Sequence, residues 1–283
     1  MHCDANNAAS NCLGATFRAN TLAISTSSPV SVTDFASPYP AQLCNSPVNG
    51  YRLHLTNIVS LSSTTGVAWY ANVSSDTTND IDGAVVGSGV VTITYSGSGS
   101  PSCTVTSQFW GETEPIWGDH GVIGKNLDGY IYILGALGAN APGNNYSDVY
   151  VARVAPGSQA VLSAYQYWNG STFTSTRLTY PNFQGWSPAA VMTGVFQGSI
   201  TYNNYYNLYM YLAPGPALSG QITVRTAQVP TGPWTTPVVL FAGNTIYYAP
   251  VAQSHYDTTG RTLVFDASVF SPIYLQTIKV TFR

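Results

Sequence analysis

The stretch Asp128-Gly-Tyr-Ile-Tyr-Ile-Leu134 joins a tight turn to an uninterrupted run of aliphatic and aromatic residues. Asp-Gly is a preferred hairpin turn, and a short run rich in Ile and Tyr predicts a buried strand. Three further strand-like segments follow, the last two separated by the turn Asn169-Gly170; they are Asp148–Arg153, Tyr165–Trp168 and Ser171–Thr174. We therefore predict four antiparallel strands in series, a meander of about fifty residues.

The same strand–turn–strand unit recurs along the chain, and no segment has a sustained helical period. Further units are predicted within residues 51–110, 188–236 and 248–265. Irregular units of about forty to sixty residues are typical of β-propeller blades. We therefore expect an all-β fold, a single β-propeller domain over residues 1–283 built from four-stranded meanders. The strand Leu275–Phe282 is expected to pair with N-terminal strands within Ala15–Ile24 and close the ring; a β-sandwich is the alternative.

The chain is unusually poor in charge. Only 7% of its residues are charged, and the net charge of -3 comes from 12 acids and 9 bases scattered without blocks. The absence of a basic stripe argues against nucleic acid as a partner, and no apolar run reaches the roughly 18 residues of a membrane helix. No phosphate-binding loop or metal-ligand cluster is present in the sequence. We expect no cofactor, and a hydrophobic small molecule or an oligosaccharide as the partner.

Cysteines and acceptor sequons favour a secretory route. The four cysteines are Cys3, Cys12, Cys44 and Cys103, and the sequons begin at Asn72, Asn145 and Asn169. An even cysteine count in this context predicts two disulfides and a secreted protein. We favour Cys3–Cys12 and Cys44–Cys103, although the sequence alone leaves three pairings open. A zinc site is the disfavoured alternative, because the spacings do not fit and no His pair accompanies the cysteines.

A set of short stretches occurs in one order over nearly the whole chain. They are Phe17–Thr21, Val32–Phe35, Glu114–Gly121, Asp128–Gly135, Val149–Val154, Tyr167–Ser171 and Tyr256–Leu263. Together they resemble a fungal family of secreted five-bladed β-propellers, which is distantly related to bacterial endo-D-arabinanases and other glycosidase-like propellers. The resemblance implies five blades rather than another number. With few candidate acids, the chain is also similar to the hetero-Diels–Alderases of tropolonic sesquiterpene biosynthesis.

One departure from that family concerns acidic residues. Its members carry an N-terminal portion with an Arg-Asp-Gly turn and an Asp-Thr strand, which supply acids to the central pocket. This chain opens at Met1-His-Cys-Asp4, so those acids are not assigned to numbered positions. We expect either a trimmed sequence or a loss of the hydrolytic acids.

Few acids are available for hydrolysis. Glycoside hydrolysis needs two carboxyl groups roughly 5–9.5 Å apart. Most of the acids lie in turns or polar loops, where an Asp side chain usually binds its own backbone. The remaining pocket candidates are Glu112, Glu114, Asp119 and Asp266.

The segment Trp117-Gly-Asp-His-Gly121 is the strongest candidate for a site, because it stands where an inner propeller strand begins. Its glycines permit close backbone approach, and an acid beside an imidazole can exchange a proton. We predict that Asp119 and His120 are catalytic, together with Arg52 as a donor that polarises a carbonyl. The alternative is that Asp119 caps a turn and His120 is a satisfied structural residue.

Substrate-binding residues are predicted mainly at the starts of blades. They are Trp117, Glu114, Trp186, Tyr248 and His54. Aromatic rings at these positions offer flat apolar surface together with an indole or phenol donor. Packing between blades is the alternative role for the aromatic residues.

These features lead to three functional hypotheses. The first is a cofactor-free cyclisation of the hetero-Diels–Alder type, joining a tropolone quinone methide to a humulene-type terpene in an aromatic central pocket. The second is a glycoside hydrolase that acts on a polysaccharide. The third is a noncatalytic carbohydrate-binding propeller.

Overall fold

The predicted units fold into antiparallel sheets in the computed structural model. The structure describes residues 23–25, 32–34, 44, 46–48, 51–74, 85–95, 101–124, 127–138, 148–179, 189–270 and 273–283. Strands β1 (Ala23–Ser25) and β2 (Val32–Asp34) form a ladder of their own. The larger sheets begin after them.

Four larger sheets follow one another along the chain. The first contains β3 (Tyr51–Ser60), β4 (Thr65–Ser74), β5 (Val85–Thr94), β6 (Ser102–Val105) and β7 (Trp110–Gly111). The second contains β8 (Ile116–Ile123), β9 (Ile131–Ala136), β10 (Tyr150–Val154), β11 (Gln166–Trp168) and β12 (Phe173–Thr174). The third contains β13 (Ser199–Asn203), β14 (Leu208–Pro214), β15 (Gln221–Ala227) and β16 (Val238–Ala242). The fourth contains β17 (Tyr247–Ala252), β18 (Thr262–Phe270) and β19 (Ile273–Thr281).

The described residues include short 3-10 turns at Leu162–Ala164, Pro216–Leu218 and Ser254–Tyr256. None of them approaches the length that crossing a bilayer requires. The predicted hairpin at Asn169-Gly170 is confirmed, since it connects β11 to β12 and the Asn169 amide N–H donates to the Thr172 carbonyl at 3.1 Å.

The sheets are arranged as a propeller. The first strands of successive sheets contact one another, β3 against β8, β8 against β13, and β13 against β17. From there the antiparallel strands of each sheet pair in chain order, except that β7 of the first sheet pairs with β5. The prediction of an all-β propeller is therefore confirmed.

The middle strands of the sheets are buried on both faces. In β14, Tyr209 and Tyr211 belong to the apolar cluster shared with the second sheet, whereas Met210 and Leu212 belong to the cluster shared with the fourth. Successive side chains of a strand point to opposite faces, so a continuous apolar run serves two interfaces at once. This sorting fixes the side-by-side order of the sheets.

The interface between the first and second sheets is mainly aromatic. Trp69 and Trp110 donate their indole N–H groups to the hydroxyls of Tyr165 and Tyr167, at 3.2 and 2.8 Å. Trp117 packs beside them, with its ring centroid 5.5 Å from that of Tyr167. Because a buried Tyr or Trp favours a partner for its polar atom, the two Trp–Tyr hydrogen bonds stabilise this aromatic joint between the sheets.

The blade count differs from the expectation. The described residues form four blade-like sheets, not five. The strand pattern itself indicated units in the regions that became these four sheets, and the fifth blade followed only from the family resemblance. The predicted ring closure of Leu275–Phe282 with Ala15–Ile24 stays a prediction, because most of Ala15–Ile24 lies outside the residues that the structure describes; within the described residues, β19 pairs with β18 and β1 pairs with β2.

One predicted disulfide is confirmed. Cys44 and Cys103 are bonded with their Cα atoms 5.5 Å apart, which ties the segment before β3 to the outer strand β6. Cys3 and Cys12 lie outside the described residues, so that pairing stays a prediction.

We expect the double variant Cys44→Ser/Cys103→Ser to lose about 2–4 kcal/mol of unfolding free energy, because the bond closes a long loop of the unfolded chain. Urea denaturation measures this loss. Ser107→Ala, an exposed substitution near Cys103, is the matched control and should leave the midpoint unchanged. An unchanged midpoint in the cysteine variant would contradict the stabilising role.

Candidate functional site

A cavity of about 1010 Å³ lies where the first strands of the four sheets meet. Each of these strands contributes residues to its wall: Leu55 from β3, Val122 from β8, Ile200 from β13 and Val251 from β17. The cavity is therefore central to the ring. Its volume is at the upper end of the range typical of ligand pockets.

Three of the four first strands lose their regular register at this cavity. The shifts occur between Leu55 and Ile58 in β3, between Trp117 and Gly121 in β8, and between Tyr248 and Val251 in β17. Bulges of this kind redirect side chains and are enriched beside active sites. Ala249, inside the β17 irregularity, has a φ of 43°, a left-handed conformation uncommon for residues other than glycine.

The bulge of β3 is hydrogen-bonded both to the bulge of β8 and to the neighbouring strand β4. The Asn57 amide donates through Nδ2 to the Gly118 carbonyl at 3.1 Å, and the Thr56 hydroxyl donates to the Trp69 carbonyl at 3.0 Å. A Cβ on Gly118 would lie 2.6 Å from the Trp69 Cβ, and the φ of Gly118 is 92°. The predicted close approach of backbone at this glycine is confirmed.

Asp119 is the carboxylate that this arrangement directs into the cavity. Its Oδ1 accepts a hydrogen bond from Nε2 of Gln197, which comes from the segment just before β13. Its Oδ2 lies 3.4 Å from Nδ1 of His120, a residue that is only 3% exposed. Neither ring nitrogen of His120 has a hydrogen-bond partner among the described residues. The structure thus brings together the predicted acid and imidazole.

Two other predicted residues lie near this centre. His54 lines the cavity from β3. Tyr248 lies at the start of β17, and burial, followed by the negative charge of Asp119, raises its pKa to about 12. Its phenol is therefore neutral in ordinary buffers and remains a potential donor.

Two predicted substrate-binding residues lie elsewhere. Trp117 is fully buried in the aromatic joint between the first two sheets. Glu114 is 4% exposed; its Oε1 accepts from Arg177 Nε at 2.8 Å, its Oε2 pairs with Arg177 Nη2, and it also accepts from the Gly111 N–H at 2.9 Å. Neither residue belongs to the cavity wall. Their surroundings are those of structural residues.

Two predicted site residues cannot be placed at the cavity. Trp186 lies outside the described residues, and only the backbone of Arg52, within β3, is described. Their assigned roles stay predictions.

The expected aromatic lining is wrong for the described part of the cavity. No Phe, Tyr or Trp belongs to its wall; the polar contributors are His54, Thr56, Asn57, Ser60, Asp119, Gln197, Ser199, Thr201, Gln253 and Ser254. The aromatic residues are instead used between sheets, as the alternative interpretation had it. Metal ligation has no candidate among the described residues, because no group of three His, Cys, Asp or Glu side chains converges there.

Sequence reasoning missed the amide side chains at the cavity, notably Asn57, Gln197 and Gln253. Gln253 lies just after β17 and donates through Nε2 to Asp266 Oδ2 at 2.9 Å. Gln197 lies just before Gly198 and the first strand β13. Its position at the start of a blade is the signal in the sequence that points to it.

The predicted glycosylation sites differ in how exposed their asparagine side chains are. Asn72 is fully buried in β4, and its amide bonds to Ser46 at 2.8 Å and to Gln108 at 3.1 Å. A glycan on this nitrogen does not fit the fold, so that prediction is corrected. Asn169 is exposed at its turn, whereas Asn145 lies outside the described residues.

Comparisons with known proteins support the fold. A solved putative hydrolase from Bacteroides ovatus matches with a TM-score of 0.54 and 17% identity, over 78% of this chain and 55% of the other. An exo-β-1,3-galactanase from Phanerochaete chrysosporium, solved with β-1,3-galactotriose, matches with a TM-score of 0.53 and 12% identity, over 93% of this chain and 54% of the other. This chain spans about half the length of those structures. No family model and no curated protein matches it.

For the ion pair, we expect Glu114→Gln to lower the unfolding free energy by about 1.5–3 kcal/mol, because the buried carboxylate loses its charge-assisted hydrogen bonds with Arg177 and the Gly111 N–H. Denaturant titration measures the loss. Glu112→Gln, the exposed neighbour, is the control and should change stability by less than about 0.5 kcal/mol. Equal stability of the two variants would contradict a structural role for Glu114.

For the sequons, we expect protein secreted from a eukaryotic host to carry a glycan on Asn169 and none on Asn72. Enzymatic glycan release in heavy-oxygen water, followed by peptide mass spectrometry, marks each occupied asparagine. A folded, secreted product with a marked Asn72 would contradict the buried position of that side chain.

Proposed function

We propose that this propeller binds a glycan in its central cavity and hydrolyses a glycosidic bond there. The observation that carries the proposal is Asp119, a carboxylate redirected by a strand bulge into a polar cavity at the ring centre. The fold shared with an exo-β-1,3-galactanase supports this choice of chemistry. The cavity is large enough for a small oligosaccharide.

The polar groups of the wall suit sugar hydroxyls. Amide and hydroxyl side chains both donate and accept hydrogen bonds, as a sugar hydroxyl does. Asn57, Gln197 and Gln253 contribute amides from three different first-strand regions. Between them lie aliphatic residues such as Ile116 and Val251, which cover the apolar faces of a sugar ring.

Noncatalytic glycan binding is the second candidate, and one observation favours it. Hydrolysis requires a pair of carboxyl groups, whereas Asp119 is the sole carboxylate of the described cavity wall. Asp266 stands behind Gln253 rather than in the wall. A hydrolase therefore needs an approach of Asp266 to the ligand or a further acid from outside the described residues.

The hetero-Diels–Alder hypothesis has weaker support. It was based on an aromatic pocket, and the described wall is built from amides, hydroxyls and aliphatic groups instead. The compared structures include a glycosidase and offer no parallel for a cycloaddition. A secretory location remains part of the proposal, supported by the Cys44–Cys103 disulfide.

The test is a hydrolysis and binding assay with β-1,3-galactotriose and a panel of other neutral oligosaccharides. We expect Asp119→Asn to lower turnover by about 10²–10⁴-fold, since it removes a proton-transferring group while keeping its size. Asp128→Asn, an exposed acid paired with Arg153, is the control and should retain activity.

The outcomes separate the candidates. Binding by calorimetry without released sugar would replace hydrolysis with noncatalytic binding. Full hydrolysis by Asp119→Asn would remove Asp119 from the site. Neither binding nor hydrolysis across the panel would overturn the proposed function.

A further inference from the structure

We propose that the central cavity selects its glycan by charge, admitting neutral sugars and excluding anionic ones such as uronates, with Asp119 as the discriminating group. This inference rests on the proposed function and specifies its substrate class.

The described cavity wall carries negative charge and no fixed positive charge. Asp119 belongs to the wall, and no Lys or Arg does among the described residues. The Asp119 side chain is 18% exposed, so it is little screened by bulk solvent. An anionic ligand group in the cavity therefore meets the Asp119 carboxylate, and no Lys or Arg of the described wall opposes that charge.

Acids near the cavity differ from acids elsewhere in the charge of their hydrogen-bond partners. Away from the cavity, Glu114 pairs with Arg177 and Asp128 with Arg153. Neutral side chains donate to the acid in the cavity wall and to the acid behind it: Gln197 donates to Asp119, while Gln253 and Thr277 donate to Asp266. These hydrogen bonds position both carboxylates without adding a positive charge.

The negative charge of Asp119 contributes to the raised pKa values of two nearby tyrosines. Burial raises the pKa of Tyr248 to about 12, and the negative charge of Asp119 adds to the effect. The same two causes raise the pKa of the fully buried Tyr211. Both phenols are neutral donors in the working range, and neither supplies a positive charge for an anionic ligand.

Protonation of His120 or His54 would weaken the negative electrostatic potential of the cavity. Histidine is the side chain whose charge ordinarily changes between pH 5 and 8, so the binding measurements are made at pH 8. At that pH, like-charge repulsion by the mostly buried Asp119 carboxylate is expected to weaken the binding of an anionic ligand by about 100-fold.

The experiment uses β-1,3-galactotriose and its analogue in which the terminal C6 hydroxymethyl group is oxidised to a carboxylate. Calorimetry at pH 8 should give about 100-fold weaker binding for the oxidised sugar. In Asp119→Asn the two sugars should bind with affinities that agree within about fivefold, because the repelling charge is gone. Glu112→Gln, an exposed acid outside the wall, should keep the full discrimination.

A second variant keeps the test open if Asp119→Asn fails to bind either sugar. Asp266→Asn leaves Asp119 in place. It should reduce the ratio between the dissociation constants of the two sugars, but by a smaller factor than Asp119→Asn does. Equal binding of both sugars to the unmodified protein would overturn charge selection alone, as would full discrimination in Asp119→Asn. Failure of the neutral sugar to bind the unmodified protein would overturn the proposed function on which the inference rests.

Discussion

Burial of the middle strands on both faces is the constraint on which the rest of the structure depends. Strands such as β9 and β14 place alternate side chains into two different apolar clusters. A sheet with two apolar faces needs a neighbour on each side, and sheets joined in chain order satisfy this by stacking around an axis. The first strands then meet at the centre and enclose a cavity that side chains do not fill.

The chemistry of the site follows from that geometry. A regular first strand would send alternate side chains into the packed interfaces, where an acid is costly. The register shifts in β3, β8 and β17 break the alternation at the cavity and release polar groups into it. In β8, Trp117 completes the aromatic joint while Asp119, two residues later, faces the cavity. One short segment thus serves both the core and the site.

Because one segment serves both the core and the site, the sequence predicts the strands and turns better than it predicts the site. The run 130–134 and the turn Asn169-Gly170 predicted a meander because hairpin turns and buried strands depend on local chemistry. The same local patterns predict that Trp117, Glu114 and Asp119 all belong to the site. In the three-dimensional structure, only Asp119 of the three lies in the cavity wall. Trp117 faces a sheet interface, Glu114 is paired with Arg177, and Gln197 arrives at Asp119 from a distant segment. None of the strand–turn–strand units predicted from the sequence corresponds to a fifth blade.

A crystal structure of the protein with a bound neutral oligosaccharide is the most direct test of a glycan site at the ring centre. We expect electron density for the sugar in the central cavity, with a hydroxyl within about 3.2 Å of an Asp119 oxygen. Sugar bound only on the outer surface of the sheets, with the cavity occupied by water, would contradict it.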